Sequence, residues 1–186
     1  NEDALKQKII ISQFFGDIDS QLGYVVLSNT NTNVLSTSVN ADTLTIHFRA
    51  NESGSGSLTI RASSLGYFID NSMAVTVNPI DDPPSVLNPI SDQFSLEDGS
   101  ERTISLGNVF TDVDDNIGLM NYYVANNSNK SIISTNIVGT DLKLIFNPNA
   151  FGKATLLISG ILSEKTVTDT FNVTVSPQDD APTLIK

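Results

Sequence analysis

The chain has 186 residues, no cysteine and a formal net charge of −11. The absence of cysteine excludes disulfides and thiolate metal sites, and the acidic balance argues against nucleic acid, whose phosphates require a basic surface. No apolar run is long enough to insert into a membrane, and any signal peptide is expected to lie outside this sequence.

The first half of the sequence returns in the second half, which indicates a duplication. Most matched segments are 98 positions apart, whereas the earliest pair is 95 positions apart. The three-residue difference is expected in the Asn/Ser/Thr-rich stretch that follows this earliest pair. The matched segments are 15–19 with 110–114, 44–48 with 142–146, and 75–84 with 173–182.

Both copies show the two-residue period of half-buried strands. In copy two, Leu142, Leu144 and Phe146 alternate with Lys143 and Ile145. Seven short antiparallel strands in about a hundred residues are typical of an immunoglobulin-like sandwich. The predicted fold class is therefore all-β, with two tandem immunoglobulin/cadherin-like antiparallel β-sandwiches. The predicted strands of copy two are about 86–96, 103–109, 121–126, 131–137, 141–147, 153–160 and 167–176.

The alignment of the copies predicts the domain boundaries. Glu2-Asp3 corresponds to Glu97-Asp98, so the first copy is expected to lack its N-terminal strand. The predicted domains are a first repeat at 1–83, a second repeat at 84–182 and the start of a further repeat at 183–186. The open sheet edge of the first copy is expected to attract a strand from a neighbouring molecule, such as the tail of the chain.

Carboxylates are predicted to converge where the two copies join. Alternating strand directions bring acids of both copies to this junction, with the linker between them. Gathered carboxylates repel one another unless a cation neutralises them, and Ca²⁺ takes about 6–8 oxygen ligands in irregular geometry. Each acidic group, taken singly, can also be a capped turn or a solvated loop. The predicted calcium ligands are Glu2, Asp3, Glu52, Asp81, Asp82, Asp112, Asp114 and Asp115.

The Pro-x-Asp-Asp-x-Pro linkers, the Glu-Asp after the first strand and the Phe-Thr-Asp-Val-Asp-Asp loop at 110–115 resemble bacterial cadherin-like tandem repeats, akin to the dystroglycan-type cadherin domain. The resemblance covers nearly the whole chain. It implies a non-catalytic adhesion or spacer role in a large surface or secreted protein, often with interdomain calcium. The implied partners are neighbouring repeats of the parent chain and cell-surface proteins or glycans. Pro79 and Pro177 replace the first aspartate of the cadherin linker, which removes one expected ligand.

Catalysis is not expected, because the only histidine, His47, alternates with apolar residues and is predicted to face solvent. The alternative function is a carbohydrate-binding module appended to a secreted enzyme or matrix protein, since exposed aromatic rings suit sugars. Tyr67 and Phe68 are placed in the turn before the last strand of copy one. Of the adjacent pair Tyr122 and Tyr123, one ring is expected inside and one outside. The aromatic candidates are Tyr24, Tyr67, Phe68, Tyr122 and Tyr123.

Overall fold

A computed structural model describes residues 1–181, so the predicted start of a further repeat lies outside the described residues. The described chain is built of antiparallel sheets with one parallel pairing, and the predicted all-β class is confirmed. Its helical content over residues 1–181 consists of two short 3₁₀ turns, Ile11–Gln13 and Ile117–Leu119. The chain divides into two compact units, unit 1 at Asn1–Asp81 and unit 2 from Asp82 onward.

Unit 1 has six strands in two three-stranded sheets. The strands are β1 (Gln7–Ile10), β2 (Gly23–Asn29), β3 (Leu35–Asn40), β4 (Thr43–Phe48), β5 (Gly54–Ser64) and β6 (Tyr67–Val77). One sheet has the order β1-β4-β3 and the other β2-β5-β6, with every neighbouring pair antiparallel. Apolar side chains of both sheets share one core, as Leu44 and Ile46 of β4 and Leu58 of β5 illustrate.

Unit 2 has nine strands over residues 82–181. They are β7 (Ser85–Val86), β8 (Gln93–Leu96), β9 (Arg102–Ser105), β10 (Phe110–Thr111), β11 (Asn121–Asn127), β12 (Ile133–Val138), β13 (Asp141–Phe146), β14 (Gly152–Leu162) and β15 (Lys165–Ser176). The sheets have the orders β11-β14-β15-β8, β12-β13-β9 and β10-β7. Leu142 and Leu144 of β13 face Leu156 and Phe171 of the larger sheet within a single core.

The first predicted strand of copy two, at 86–96, is wrong as a continuous element. Ser85–Val86 pairs with β10, whereas Gln93–Leu96 pairs in parallel with β15 in a different sheet. Pro89 stands between the two pieces and has no N–H to donate to a ladder. The chain therefore leaves one sheet and joins the other within a few residues.

Unit 1 has no counterpart of β8. Strand β15 of unit 2 lies between β14 and β8, whereas β6 of unit 1 lies at the edge of its sheet. The expectation that the first copy lacks its N-terminal strand is confirmed by this sheet order. The outer edge of β6 is left without a neighbouring strand in the described chain.

The three-residue difference between the copies lies earlier than predicted. Gly23 and Asn121, which begin the equivalent strands β2 and β11, are already 98 positions apart. Both strands carry a register shift at the same place, between Val26 and Ser28 in one and between Val124 and Asn126 in the other. The extra residues of copy two lie in the loop before β11, which contains the 3₁₀ turn Ile117–Leu119.

Candidate functional site

Two glutamates, one in each unit, are buried and bind the backbone of the segment that follows the last strand of the unit. Glu2 and Glu97 are only 2% and 5% exposed. Oε1 of Glu2 accepts a hydrogen bond from the backbone N–H of Ile80 at 2.6 Å, and Oε1 of Glu97 accepts one from Gln178 at 2.7 Å. The backbone N–H groups of the same glutamates donate to the carbonyls of Asn78 and Ser176. Each glutamate thus fastens the leading segment of its unit to the segment that leaves it.

The next residue in each copy, Asp3 or Asp98, caps a turn. Oδ1 of Asp3 accepts from the N–H of Asn51 at 3.1 Å, and Oδ1 of Asp98 accepts from Asn149 at 3.0 Å. All four residues have positive φ angles of 51° to 59°, a region that Asp and Asn tolerate better than most side chains. Glu52 follows Asn51 and is exposed.

An acidic loop in unit 2, residues Asp112–Asp115, receives the incoming chain. Oδ1 of Asp112 accepts from the N–H groups of Asp114 and Asp115, both at 2.9 Å. Oδ2 of Asp114 accepts from the N–H of Asp82 at 2.7 Å, and Asp115 accepts from the hydroxyl of Ser163. The loop therefore joins the start of unit 2 to the turn before β15.

The second carboxylate oxygen of Asp112 differs from the rest of the loop. Oδ2 is buried and has no hydrogen-bond partner within the described residues. The equivalent residue of copy one, Asp17, makes the same turn by accepting from the N–H groups of Asp19 and Ser20, but its side chain is exposed to solvent. An unpartnered buried carboxylate oxygen costs free energy that a hydrogen-bond donor or a cation would recover.

Within each unit, the structure brings some of the predicted metal ligands close to one another. Asp82, Asp112, Asp114 and Asp115 lie together in unit 2 through the contacts of the acidic loop. Within unit 1, the other predicted ligands flank the capped turn and the exit linker. In neither unit, over residues 1–181, do three His, Cys, Asp or Glu side chains form a group that could hold a metal ion by themselves. The predicted calcium site of eight residues stays a prediction. Its unit 1 members are Glu2, Asp3, Glu52 and Asp81.

The aromatic candidates divide into packed and exposed rings. Tyr122 is half-buried and stacks on Phe110 with ring centroids 6.1 Å apart, and burial raises the pKa of its phenol. Tyr123 is exposed, so the prediction of one inward and one outward ring is confirmed. Tyr24 is also half-buried and lies near Phe15, with ring centroids 6.0 Å apart.

The prediction that Tyr67 and Phe68 lie in a turn is wrong, because they are the first two residues of β6. The hairpin turn before them is so tight that both long strands, β5 and β6, extend to it. Both rings are exposed, and the guanidinium carbon of Arg61 lies 3.8 Å from the centroid of Phe68. Arg61 also forms a bidentate ion pair with Asp70, and this hydrogen bonding lowers the pKa of the Asp70 carboxyl.

The only histidine lies at an exposed position of a strand. His47 lies on β4 opposite Ser36 of β3, and its side chain is exposed, as its alternation with apolar neighbours predicted.

Within residues 1–181 the structure contains no helix with the length and apolar character needed to span a membrane.

The chain matches no protein-family model, and no curated protein is significantly similar in sequence. Similar solved structures include human protocadherin-24 EC1-2, at 12% identity and a TM-score of 0.48, covering 87% of this chain and 84% of that one. Protocadherin gamma B2 EC1-5 is 15% identical with a TM-score of 0.48, covering 86% and 34%.

An endo-fucoidan hydrolase of glycoside hydrolase family 107 is also similar, at 15% identity and a TM-score of 0.38. The match covers 87% of this chain but only 24% of the hydrolase chain, so the chain spans about a quarter of that protein. Cadherin extracellular domains are therefore among the structures that this chain is similar to.

Proposed function

We propose that the chain is a non-catalytic spacer or adhesion repeat, arranged head to tail in a longer extracellular protein of the bacterial cadherin-like kind. The observation that carries this proposal is the position of the two points at which the chain enters and leaves unit 2. The incoming chain at Asp82 is bonded to Asp114, and the outgoing chain at Gln178 is bonded to Glu97. These two attachments lie at opposite ends of β15.

The length of β15 separates the two attachments. Asp115 of the acidic loop is bonded to Ser163, two residues before β15 begins, and Gln178 lies two residues after β15 ends. Twelve extended residues span about 40 Å. A unit that takes in the chain at one end and releases it at the other suits a linear array. The duplicated attachment through Glu2 and Glu97 supports the same arrangement, because each unit grips its outgoing linker in the same way.

We further propose that the acidic loop of unit 2 binds Ca²⁺. The buried Oδ2 of Asp112 has no partner within the described residues. Carboxylate oxygens are the ligands that the hard cation Ca²⁺ prefers. Asp112 and Asp114 would supply carboxylate oxygens, and backbone carbonyls and water would have to complete the shell of about 6–8 oxygens. An ion bound there would hold the start of unit 2 to its loop and so stiffen the linker at Asp82.

Calcium is expected to bind metal-stripped protein saturably and to raise the melting temperature of unit 2. At a free concentration of 100 times the dissociation constant, binding to the native state adds about 2.7 kcal/mol of stability. The measurement is calorimetric titration of Ca²⁺, together with thermal melts in calcium and in chelator. The double variant Asp112→Asn/Asp114→Asn should lose both the heat and the shift.

The matched control is Asp17→Asn/Asp19→Asn, which changes the equivalent turn of unit 1, where Asp17 is exposed. This control should keep the calcium response of the native chain. Identical melts of the native chain in calcium and in chelator would contradict the calcium proposal while leaving the head-to-tail repeat untouched. The repeat itself is tested by small-angle scattering of longer arrays, whose maximum dimension should grow linearly with repeat number.

A carbohydrate-binding module is the second candidate, and the exposed rings of Tyr67 and Phe68 favour it. Arg61 covers one face of Phe68, which leaves Tyr67, at 84% exposure, as the ring with a free face. This function predicts saturable binding on a glycan array that Tyr67→Ala weakens by about tenfold, the usual order for one aromatic contact. Tyr123→Ala on unit 2 is the control. Glycan binding that both variants leave intact would exclude Tyr67 as the site.

A further inference from the structure

Unit 1 has a long groove between the edges of its two sheets. β2 ends one sheet and β3 ends the other, and a groove of about 540 Å³ lies between them. A second groove of about 470 Å³ adjoins it and has Tyr24 and Val39 as lining residues in common. Together they run beside β3, whose six residues span about 20 Å.

The opening between these two edges is a feature of the repeat fold. In unit 2 the equivalent strands β11 and β12 also end their sheets. They do so although β8 adds a fourth strand at the opposite edge of the larger sheet, beside β15. A segment that pairs with the last strand of a unit therefore leaves this side of the sandwich open.

The groove combines an apolar floor with a rim rich in hydroxyl groups. Tyr24, Val26 and Val39 are half-buried and pack against the core, so they form the floor. The rim hydroxyls are exposed, form no side-chain hydrogen bond within the described residues, and can both donate and accept. They belong to Ser28, Thr32, Ser36 and Ser38.

A cationic side chain lines one end of the groove. Nε of Arg49 donates to the carbonyl oxygen of Thr32 at 3.0 Å, which holds the guanidinium at the rim. Over residues 1–181 this guanidinium forms no ion pair, so its terminal N–H groups are available to an anion. The acid at the other end, Asp42, already accepts from the hydroxyls of Ser12 and Thr43.

The residue equivalent to Arg49 in unit 2 is Asn147, which is bonded to its neighbours. Its amide donates to the carbonyl oxygens of Lys130 and Ser131, and its Oδ1 accepts from the hydroxyl of Ser134. The backbone N–H of each residue donates to the preceding loop in the same way. The fold therefore accepts an asparagine at this position, and the arginine of unit 1 adds a charge that the fold does not require.

We infer that the groove between β2 and β3 binds an acidic oligosaccharide. The guanidinium of Arg49 pairs with a carboxylate or sulfate group of the sugar, because its planar fork can donate two parallel hydrogen bonds. The rim hydroxyls bind sugar hydroxyls, and the ring of Tyr24 contacts an apolar sugar face. The inference rests on the carbohydrate-binding candidate above and assigns that function to a site away from Tyr67, which does not line the groove.

Other occupants fit the groove less well. A peptide that adds a strand to β2 or β3 would extend one sheet and leave the floor between the two sheets uncovered. A nucleic acid requires a basic surface, whereas this chain has a net charge of −11. A second copy of the chain would bring the same negative charge to the interface.

The first test titrates the chain with three tetrasaccharides, one of galacturonic acid, one of sulfated galactose and one of neutral galactose. The titrations are made in chelator, which removes any calcium bridge between a uronate and the acidic loop. Calorimetry should show saturable binding of an acidic sugar and roughly tenfold weaker binding of the neutral one. The acidic sugar that binds more tightly identifies the anion. No binding of either acidic sugar, or equal binding of the neutral one, would overturn the inference.

The second test replaces Arg49 by the residue that unit 2 has in its place. Arg49→Asn should weaken binding of the acidic sugar by roughly 10- to 100-fold while the melting curve stays unchanged. Lys6→Asn is the matched control, because it removes the same charge from an exposed position outside the groove. It should keep the full affinity. Equal losses for the two variants would refute the role of Arg49.

Two further measurements separate this site from its alternatives. Tyr67→Ala should leave the affinity unchanged, and hydrogen exchange on binding should slow at β2 and β3. A loss for Tyr67→Ala without one for Arg49→Asn would refute the groove and keep carbohydrate binding at Tyr67. A tetra-aspartate peptide that binds as tightly as the acidic sugar would show recognition of charge alone and refute the assignment to a sugar.

Discussion

Replacing Phe171 by alanine is expected to destabilise unit 2 by about 3–5 kcal/mol, whereas Met73→Ala at the equivalent position of unit 1 should cost about 1 kcal/mol. Phe171 is 1% exposed and belongs to the core of unit 2, and its strand β15 is covered on its outer edge by β8. Met73 is half-buried and lines an apolar cavity of about 200 Å³ in unit 1. Its truncation removes contacts on one side only, and water can enter the space that it leaves.

The two units should be measured separately, because a single melting curve would mix their transitions. Peptide-resolved hydrogen exchange in increasing denaturant reports the opening free energy of β14 and β15 apart from that of β5 and β6. Leu156→Ala and Leu58→Ala serve as matched controls, since both leucines are fully buried at equivalent positions. They should cost similar amounts. A loss for Met73→Ala as large as that for Phe171→Ala would mean that Met73 is packed as fully in solution as Phe171.

The strands could be predicted because their pattern is local. Alternation such as Leu142, Leu144 and Phe146 fixes which face is buried, whatever strand lies alongside. The duplication added a second reading of each strand, since equivalent positions in both copies repeat the alternation. Most predicted strands of copy two therefore agree with the structure to within a few residues.

Strand partners could not be predicted in the same way. Residues 86–96 are apolar enough for one strand, and nothing local shows that Ser85–Val86 and Gln93–Leu96 join different sheets. Pro89 was the available signal for a break, because proline cannot continue a ladder. Tyr67 and Phe68 were misplaced for a related reason, since the Leu65-Gly66 turn occupies only two residues and the strand starts directly after it.

The role of each acidic residue could not be predicted from the sequence. A carboxylate that binds a cation and one that accepts backbone N–H groups are identical in sequence. Asp112 shows both features, with Oδ1 bonded to the loop backbone and Oδ2 buried without a partner in the described residues. The backbone-binding role of Glu2 and Glu97 could have been distinguished from metal binding. The same glutamate is present in both copies although the side chains of the linkers differ, which fits a role that involves only the linker backbone.

Replacing Glu97 by alanine is expected to cost about 1.5–3 kcal/mol, the range for a hydrogen bond that involves a charged group. The side chain is 5% exposed and accepts from the N–H of Gln178, which would lose this partner. Glu97→Gln keeps an oxygen at the same distance and should lose less than half as much. Glu2→Ala should give an equivalent loss in unit 1, where the partner is the N–H of Ile80. Exchange of the amides at Gln178 and Ile80 reports each attachment directly.

Measurements with and without calcium distinguish the two roles that a buried glutamate next to the outgoing linker can have. If Glu97 acts by gripping the linker, the loss on Glu97→Ala should be the same in calcium and in chelator, because the hydrogen bond to Gln178 needs no metal. If it acts as a ligand, the loss should disappear in chelator, where there is no ion to release. We expect the first result, since the hydrogen bonds of Glu97 connect it to the backbone at Ser176 and Gln178. The acidic loop at Asp112 should show the opposite behaviour, with a stability effect that is present only when calcium is supplied. A calcium-dependent loss at Glu97 would instead indicate that this glutamate binds the metal ion.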